Sequence, residues 1–321
     1  MTQSQMIYRS VGESGLKVSA LSLGGWTTFG GSVQDQQTVE AILLRAFDAG
    51  VNFFDIADIY AKGEAESRMG AVLAKLPRHR LVISSKVFWP MSEDVNDRGL
   101  SRKHIMESVE KSLKRIGTDY LDMYFCHRFD PETPLDETAR AMDDLVRQGK
   151  VLYWGTSEWT GAQLDEVNAL ARQKGYDAPI VEQPQYSLLK RTPYESTILP
   201  AAKQSGMGLV VWSPLASGLL SGKYNQGIPS NSRLEQMDWL RQSLYTDDNL
   251  SKVRTMESLA KDAGCSQAQL ALAWALQGEG VSSVITGATS LAQLEENLGA
   301  LSVELTGELK LSLDTLFEQG A

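Results

Sequence analysis

Residues that often carry chemistry or crosslinks are scarce in this chain, whose 321 residues include two cysteines and three histidines. The two cysteines, Cys126 and Cys265, are too few for a disulfide framework. The N-terminal stretch MTQSQMIYRS also lacks the apolar core of a signal peptide. We therefore expect a reduced protein that is located in the cytoplasm.

Long apolar runs and basic stripes are absent as well. No run approaches the roughly 20 apolar residues that are needed to span a bilayer, so we expect no membrane segment. The formal net charge is −9 and the Lys and Arg residues are dispersed, which argues against a nucleic-acid partner. The chain does contain 42% hydrophobic residues, which suffice for the core of one large domain or of two ordinary ones.

Short runs rich in Val, Ile, Leu and Phe alternate with stretches of helical period from near residue 20 onward. This alternation is typical of parallel strands that are joined by helices. The candidate strands are Ser19–Leu23, Phe53–Ala57, Leu81–Lys86, Leu121–Cys126, Tyr153–Thr156, Ile180–Gln183, Gly208–Trp212 and Ser283–Thr286. The candidate helices between them cover residues 38–50, 65–76, 102–117, 135–150, 161–175, 196–206 and 266–277.

Eight such units in about 300 residues predict an α/β fold of the (β/α)8 TIM-barrel class. A doubly wound sheet is the alternative. It would be expected to carry a G-x-G-x-x-G turn after an early strand, and the early glycines of LGGWTTFGG do not fit that spacing. After the seventh strand, residues 213–236 are dense in Gly, Ser and Pro and lack a clear period, which predicts a long, functional or disordered loop.

Polar residues stand at the ends of neighbouring candidate strands, where a barrel gathers its catalytic groups. Asp55, Lys86 and His127 lie at or directly after the ends of the second, third and fourth strands, and Tyr60 follows Asp55 closely. Each residue alone has an ordinary interpretation as a strand end, a turn residue or a helix cap. Because a barrel places these strands side by side, their combination indicates an active site.

Three further acids lie close to this group in the sequence. Asp58 is expected to be an ordinary turn or surface acid, and Glu64 and Glu66 are expected to be charges at the N-terminus of a helix.

A series of stretches resembles the aldo-keto reductase family, and in particular its potassium channel beta-subunit-like branch. The stretches are GGWTTFGG (24–31), FFDIADIYAKGEAE (53–66), VISSKVFW (82–89), RGLSRKHI (98–105), YWGTSEW (153–159), WSPLASGLLSGKY (212–224) and GATSLAQLEENLGAL (287–301). The resemblance implies one barrel domain over residues 1–321, with extra loops at its C-terminal face and a C-terminal helix. It also implies reduction of aldehydes or ketones by NADPH, without a metal.

The family's catalytic aspartate, tyrosine, lysine and histidine match Asp55, Tyr60, Lys86 and His127. Tyr60 would give a proton to the developing alkoxide. Lys86 would lower the pKa of Tyr60, and Asp55 would hold Lys86 charged and in position. His127 would orient the carbonyl oxygen as a neutral imidazole.

The resemblance also implies a cofactor site. The residues that match cofactor ligands are Gly25, Trp26, Asp55, Ser157, Gln183, Trp212, Ser213, Pro214, Leu215, Ala216, Ser217, Gly218, Lys223, Arg233, Gly287, Thr289, Gln293, Glu296 and Asn297. Lys223 and Arg233 would bind the 2′-phosphate that distinguishes NADPH from NADH. Two departures bear on this preference: residues 287–289 include no Lys or Arg, and Glu158 stands where the channel-subunit branch has an arginine.

Trp26, Tyr60, Trp89 and His127 match residues that face the substrate. The large apolar walls that Trp26 and Trp89 form suit an apolar or aromatic carbonyl compound better than a small charged one.

Two other functions are alternatives to the reductase. A regulatory subunit of a membrane channel is disfavoured by His127, because the channel subunits have asparagine there. A metal-dependent barrel isomerase is disfavoured because only one of the three histidines stands at a strand end. The branch also suggests a homotetramer.

Overall fold

A computed structural model describes residues 6–318 of the chain. Two short strands, β1 (Tyr8–Ser10) and β2 (Lys17–Ser19), form an antiparallel hairpin at its start. The strands that follow are parallel and form a closed barrel. They are β3 (Leu21–Gly24), β4 (Phe53–Asp55), β5 (Val82–Val87), β6 (Leu121–Cys126), β7 (Val151–Ser157), β8 (Val181–Gln183), β9 (Gly208–Val211) and β10 (Val281–Thr286).

Helices surround the barrel and bury their apolar faces against the outside of the strands. In the described range they are α1 (Gln36–Asp48), α2 (Glu64–Leu73), α3 (Arg102–Ile116), α4 (Leu135–Arg147), α5 (Gly161–Lys174), α6 (Leu199–Gln204), α7 (Arg233–Gln236), α8 (Asp238–Leu244), α9 (Asp247–Asp262), α10 (Gln267–Leu276), α11 (Leu291–Gly299) and α12 (Gly307–Leu316). None of the helices in this range is long and apolar enough to cross a membrane.

The β1–β2 hairpin closes the N-terminal end of the barrel, and we call it the barrel floor. Val11 and Val18 are fully buried and pack in one cluster with Phe53, Val82 and Val181, which lie near the beginnings of their strands. The hairpin is fixed to the barrel by hydrogen bonds, because Ser282 Oγ donates to the carbonyl of Ser10 at 2.9 Å. The hairpin therefore covers one end of the barrel, and the strands terminate at the other.

Strand alternation determines which side chains enter the barrel. On β5, Val82 packs in the interior cluster and Ser84 donates a hydrogen bond to Asp55 inside the barrel. The intervening residue Ile83 packs in the outer core, and Ser85 bonds Glu66 on α2. Lys86 therefore points inward at the C-terminal end of the strand.

The closed barrel confirms the TIM-barrel prediction and excludes the doubly wound alternative. Each predicted strand overlaps an observed one. The prediction of an irregular segment over 213–236 was partly wrong, because it contains a 3₁₀ turn at Ala216–Ser221 and the short helix α7. The hairpin and the helices α8 and α9 were missed.

Candidate active site

Asp55 and Lys86 form a buried ion pair at the C-terminal ends of β4 and β5. Lys86 Nζ lies 2.7 Å from Asp55 Oδ2, and the two side chains are 0% and 4% exposed. A buried pair is tolerated when further hydrogen bonds satisfy both partners. Asp55 Oδ1 accepts hydrogen bonds from Ser84 Oγ at 2.7 Å and from Gln183 Nε2 at 3.0 Å, and Lys86 Nζ also donates to the Ile56 carbonyl at 2.6 Å. Burial lowers the pKa of Lys86, and the charge of Asp55 opposes that shift.

Tyr60 lies beside this pair, with its ring centre 4.9 Å from Lys86 Nζ. Its hydroxyl makes no hydrogen bond within residues 6–318, and the ammonium group of Lys86 lies over the face of its ring. Burial, and then the charge of Asp55, raise the pKa of Tyr60 well above its usual value. The net shift of this pKa is thus opposite to the lowering expected from Lys86, and the cation that opposes the effects of burial and Asp55 is Arg128.

The backbone directly after Tyr60 is strained. Ala61, Lys62 and Gly63 have φ values of 49°, 52° and 92°, all in the left-handed region. For a non-glycine residue this region costs roughly 1–2 kcal/mol. Strain of this kind concentrates at functional sites, where the surrounding structure enforces it.

His127 completes the group from the end of β6. Its ring centre lies 5.8 Å from that of Tyr60 and 6.3 Å from that of Trp89, and it is 6% exposed. Burial, followed by the charges of Lys86 and Arg128, lowers the pKa of His127 well below its usual value. The imidazole is therefore neutral, and its buried Nδ1 has no hydrogen-bond partner in the described part of the chain.

The residues expected at the nicotinamide end of the cofactor lie next to this group. Ser157 Oγ donates to the Gln183 carbonyl at 3.0 Å, and Gln183 in turn reaches Asp55. Trp26 and Trp212 pack edge to face with their ring centres 5.6 Å apart. Gly25 lies at the same rim, because its N–H donates a hydrogen bond to the backbone carbonyl of Asp55 at 2.9 Å.

Glu158, the residue that departs from the channel-subunit pattern, holds one of these tryptophans. Its Oε1 accepts hydrogen bonds from Trp212 Nε1 at 2.9 Å and from the Gln185 N–H at 2.5 Å. Its φ of 59° is left-handed, so the backbone is strained at this position too. Glu158 thus fixes the orientation of the Trp212 ring.

The loop after β9 has several left-handed residues close together. Ser213, Ala216, Ser217 and Gly218 have φ values of 55°, 46°, 57° and 90°. The ammonium group of Lys223 lies against Gly218, since a Cβ placed on that glycine would meet Nζ at 2.7 Å. Pro214 and Leu215 complete the expected phosphate loop.

Arg233 lies with its guanidinium carbon 5.3 Å from the ring centre of Trp26. Burial lowers its pKa. Neither Arg233 nor Lys223 has a carboxylate within ion-pair distance in residues 6–318. Both cations are therefore available to an anion that binds there.

The residues expected at the adenosine end follow β10. Asn297 is buried and donates to the Gly287 carbonyl at 3.1 Å, whereas Thr289, Gln293 and Glu296 are exposed. Gln293 Oε1 accepts hydrogen bonds from both the N–H and the hydroxyl of Thr289, at 2.9 and 3.0 Å. These contacts shape the start of α11 and leave exposed polar groups on its surface.

Two acids next to Tyr60 are more deeply buried than expected from the sequence. Asp58 is fully buried rather than an ordinary turn or surface acid, and Glu66 lies in the first turn of α2 as expected but is fully buried there. Asp58 accepts hydrogen bonds from the Ile59 N–H at 2.6 Å and from Ser108 Oγ on α3 at 2.8 Å. Burial, and then the charge of Glu66, raise the pKa of Asp58 to about 7. Glu64, by contrast, is exposed as expected and pairs with Arg68 at 3.4 Å.

A signal for Glu66 did exist in the sequence. It stands three, four and seven residues before Met69, Gly70 and Leu73, so it shares the buried face of α2. Its Oε2 lies 2.5 Å from Arg115 Nε, which supplies the counter-charge. Arg128 was also missed, although it directly follows His127.

No group of three or more His, Cys, Asp or Glu residues within 6–318 is arranged to hold a metal ion. The four residues matched to the family's catalytic set lie together at the rim where the strands end.

Comparisons with known proteins agree with this geometry. The model of the Aldo/keto reductase family matches residues 20–315. A protein from Oryza sativa subsp. japonica, described as a probable voltage-gated potassium channel subunit beta, is 48% identical over 303 residues, which cover 93% of this chain and 92% of the rice protein. An Arabidopsis thaliana protein of the same description is 47% identical over 303 residues, with the same coverage. The closed barrel, the match to the family model and the two relatives together show that the chain belongs to the aldo/keto reductase family.

Proposed function

We propose that this protein reduces aldehydes or ketones to alcohols with NADPH. The observation that carries the proposal is the buried Asp55–Lys86 pair beside Tyr60 and the neutral His127 at the barrel rim. Oxidoreduction of carbonyl compounds is the general activity of the family, and the particular cofactor and direction belong to the proposal. We further propose that residues 1–321 act as one domain in the cytoplasm.

Tyr60 is suited to donate the proton. Its raised pKa keeps the phenol protonated at neutral pH, so a proton is available when an alkoxide develops next to it. Once the proton leaves, the phenolate gains the attraction of the Lys86 ammonium 4.9 Å from the ring centre. Asp55 holds that ammonium in place by its ion pair.

His127 is suited to orient the substrate. Its imidazole is neutral, so one ring nitrogen carries an N–H that donates to a carbonyl oxygen. Its buried Nδ1 has no hydrogen-bond partner within residues 6–318, which supports a role for this ring in binding a substrate. Removal of such a donor typically costs about 100-fold or more in turnover.

A nicotinamide dinucleotide fits the residues present on two observations. The loop Ser213–Gly218 has clustered left-handed residues, a conformation in which successive N–H groups form an anion-binding concavity. Lys223 and Arg233 are cations without carboxylate partners in the described range. Ser157, Gln183 and Trp212 would hold the nicotinamide end. Residues after β10 would hold the adenosine end. When bound, the cofactor supplies the hydride.

The activity is tested by following NADPH oxidation with a panel of aliphatic, aromatic and sugar aldehydes and bulky ketones. We expect turnover with at least one apolar or aromatic member, because Trp26 and Trp89 line the rim. The absence of turnover across the panel, with NADPH bound, would contradict the proposal.

We predict a preference for NADPH over NADH that depends on Arg233. The kcat/KM with NADPH should exceed that with NADH by roughly 10-fold or more, since a charge-assisted bond to the 2′-phosphate is lost with NADH. Arg233→Gln should remove most of this ratio. Arg241→Gln, which alters an exposed arginine that pairs with Asp238 on α8, should preserve it. Equal ratios in the parent and in Arg233→Gln would exclude the assignment.

A second function is favoured by the relatives, whose descriptions name a potassium channel subunit. This protein would then bind a membrane partner, as a homotetramer in keeping with the branch that it resembles. His127 supports the reductase instead, because it supplies a donor for fast carbonyl reduction. Recovery of a stoichiometric membrane channel on the immobilised chain, with no turnover in the aldehyde panel, would establish the second function in place of the first.

A further inference from the structure

Arg128 is a cation at the active-site rim that the proposed function does not use. It follows His127 directly after β6, and its guanidinium carbon lies 5.6 Å from the ring centre of Trp89. Its charge also reaches the reacting groups, because it contributes to the pKa shifts of Tyr60, Lys86 and His127. Arg128 therefore lies beside the position at which the carbonyl compound would be reduced.

Most hydrogen-bonding capacity of Arg128 is unused. A guanidinium group has five N–H donors in a planar fork. Nη1 donates to the carbonyl of His127 and, at 3.5 Å, to Ser157 Oγ. The other nitrogens, Nε and Nη2, make no hydrogen bond within residues 6–318, and no carboxylate of that range lies within ion-pair distance.

The acids nearest to the site are engaged elsewhere. Asp55 is paired with Lys86. Glu158 gives Oε1 to Trp212 and to the Gln185 N–H. Asp130, two residues after Arg128, accepts hydrogen bonds from the Leu100 N–H and from Thr133. The charge of Arg128 is therefore left without an ion-pair partner in a partly desolvated rim.

The surroundings of this cation are aromatic. Phe88 and Trp89 pack edge to face with ring centres 5.1 Å apart, and Trp89 contacts His127 in the same way. A ligand that satisfies both features has an apolar or aromatic body and a planar anionic group. A carboxylate matches the guanidinium fork in shape and charge.

We propose that Arg128 determines substrate specificity by binding the carboxylate of an aromatic or otherwise apolar aldehyde or ketone. The inference rests on the proposed reductase function and names the substrate class of the same site. It modifies the preference drawn from the tryptophans alone, since the favoured compound is apolar in its body and anionic at one end.

The cofactor phosphates are a less suitable partner for Arg128. The loop Ser213–Gly218 follows β9, and β6 is separated from β9 by β7 and β8 around the barrel. Arg128 bonds Ser157, which is expected to hold the nicotinamide end and not the phosphates. Affinity for NADPH, measured beside the substrate ratio, separates the two sources of negative charge.

The test compares 4-formylbenzoate with 4-formylbenzamide, two aldehydes of similar shape that differ in charge. In the parent protein we expect kcat/KM to favour the carboxylate by about 10-fold or more, as a charge-assisted bidentate bond would give. Arg128→Gln should bring the ratio close to one, and Arg128→Lys should retain part of it. Arg80→Gln is the matched control. Arg80 is exposed and lies 4.3 Å from the Phe47 ring, next to the start of β5 at the opposite end of the barrel, so its loss should leave the ratio unchanged.

A parent ratio near one, or the same ratio in Arg128→Gln as in the parent, would overturn the inference. A loss of NADPH affinity in Arg128→Gln with an unchanged ratio would assign Arg128 to the cofactor and would also overturn it. If neither of these aldehydes nor any member of the wider panel is reduced, the reductase proposal fails. Calorimetric titration with benzoate and benzamide then decides the inference: tighter binding of benzoate that is lost in Arg128→Gln supports it, and equal affinities contradict it.

Discussion

Tyr60 and Tyr124 are both buried tyrosines of the barrel, but they differ in what surrounds them. Tyr60 lies at the rim, after the end of β4 and next to Lys86 and His127. Tyr124 packs in the outer core between β6 and the helices. Comparison of Tyr60 with Tyr124 therefore distinguishes a phenol that takes part in the proposed reaction from one that only packs in the core.

We predict that Tyr60→Phe lowers kcat by about 100-fold or more, because the proton donor is removed. The affinity for NADPH should change little, since the hydroxyl is assigned to the substrate. The measurement is steady-state reduction of an aldehyde together with a cofactor titration. Tyr124→Phe serves as the control and should retain turnover. A normal kcat in Tyr60→Phe would remove Tyr60 from the mechanism.

The position of a single residue could be predicted from the sequence when it depends only on the strand that carries the residue. Asp55, Lys86 and His127 could be predicted because the ends of adjacent parallel strands meet at one rim. The burial of Asp58 could not, because it depends on Ser108 and Arg115 of α3, which lie far along the chain. The direction of the Tyr60 pKa shift was missed for a similar reason, since burial is a property of the packed molecule.

Among the elements, the barrel floor depends on one close approach of two backbones. Gly12 has a φ of +56°, and a Cβ placed on it would lie 2.2 Å from the Gly206 carbonyl oxygen. Gly15, in the same hairpin, has no atom within 4 Å of such a Cβ. These two glycines provide a matched pair.

We predict that Gly12→Ala reduces the free energy of unfolding by roughly 3 kcal/mol, from the left-handed backbone and the overlap with Gly206. Gly15→Ala should change it by less than about 0.5 kcal/mol, as is usual for surface substitutions. Denaturant titration of both variants measures the difference. Equal stabilities would show that the hairpin does not approach β9 as closely as described.

Exposure rather than length explains why the hairpin was missed. The strands β1 and β2 are partly exposed, whereas the equally short β4 and β8 are fully buried and belong to apolar runs that the sequence reveals. The missed helix α9 did carry a signal, because Thr246 caps its first turn and Leu250, Val253 and Met256 are buried at helical spacing. It followed a Gly- and Ser-rich segment, which obscured where the irregular part ends.

For the molecule as a whole, the buried acids make stability depend on pH. The pKa of Asp58 is raised to about 7 and that of Glu182 to about 8, in both cases chiefly by burial. In the unfolded chain these groups titrate near pH 4. Between these values the folded state binds more protons than the unfolded state, so the free energy of unfolding falls as pH rises.

We predict that Asp58→Asn flattens this dependence between about pH 4 and pH 7, because the neutral amide has no charge to bury. At pH 8 the variant should be more stable than the parent by an amount on the order of a few kcal/mol. The measurement is denaturant unfolding at a series of pH values. Glu64→Gln, which removes an exposed carboxylate from the start of α2, should leave the pH dependence of the free energy of unfolding unchanged. A parent-like slope in Asp58→Asn would show that Asp58 is ionised throughout.

The barrel floor also has a consequence for the kinetics of exchange. Because Val11 and Val18 close one end, ligands enter and leave through the same rim. Anything that narrows this rim slows association and dissociation by the same factor, provided that it does not contact the bound ligand. The residence time of a bound ligand can therefore change while its dissociation constant stays the same. The width of the rim would then determine the rate of product release independently of affinity.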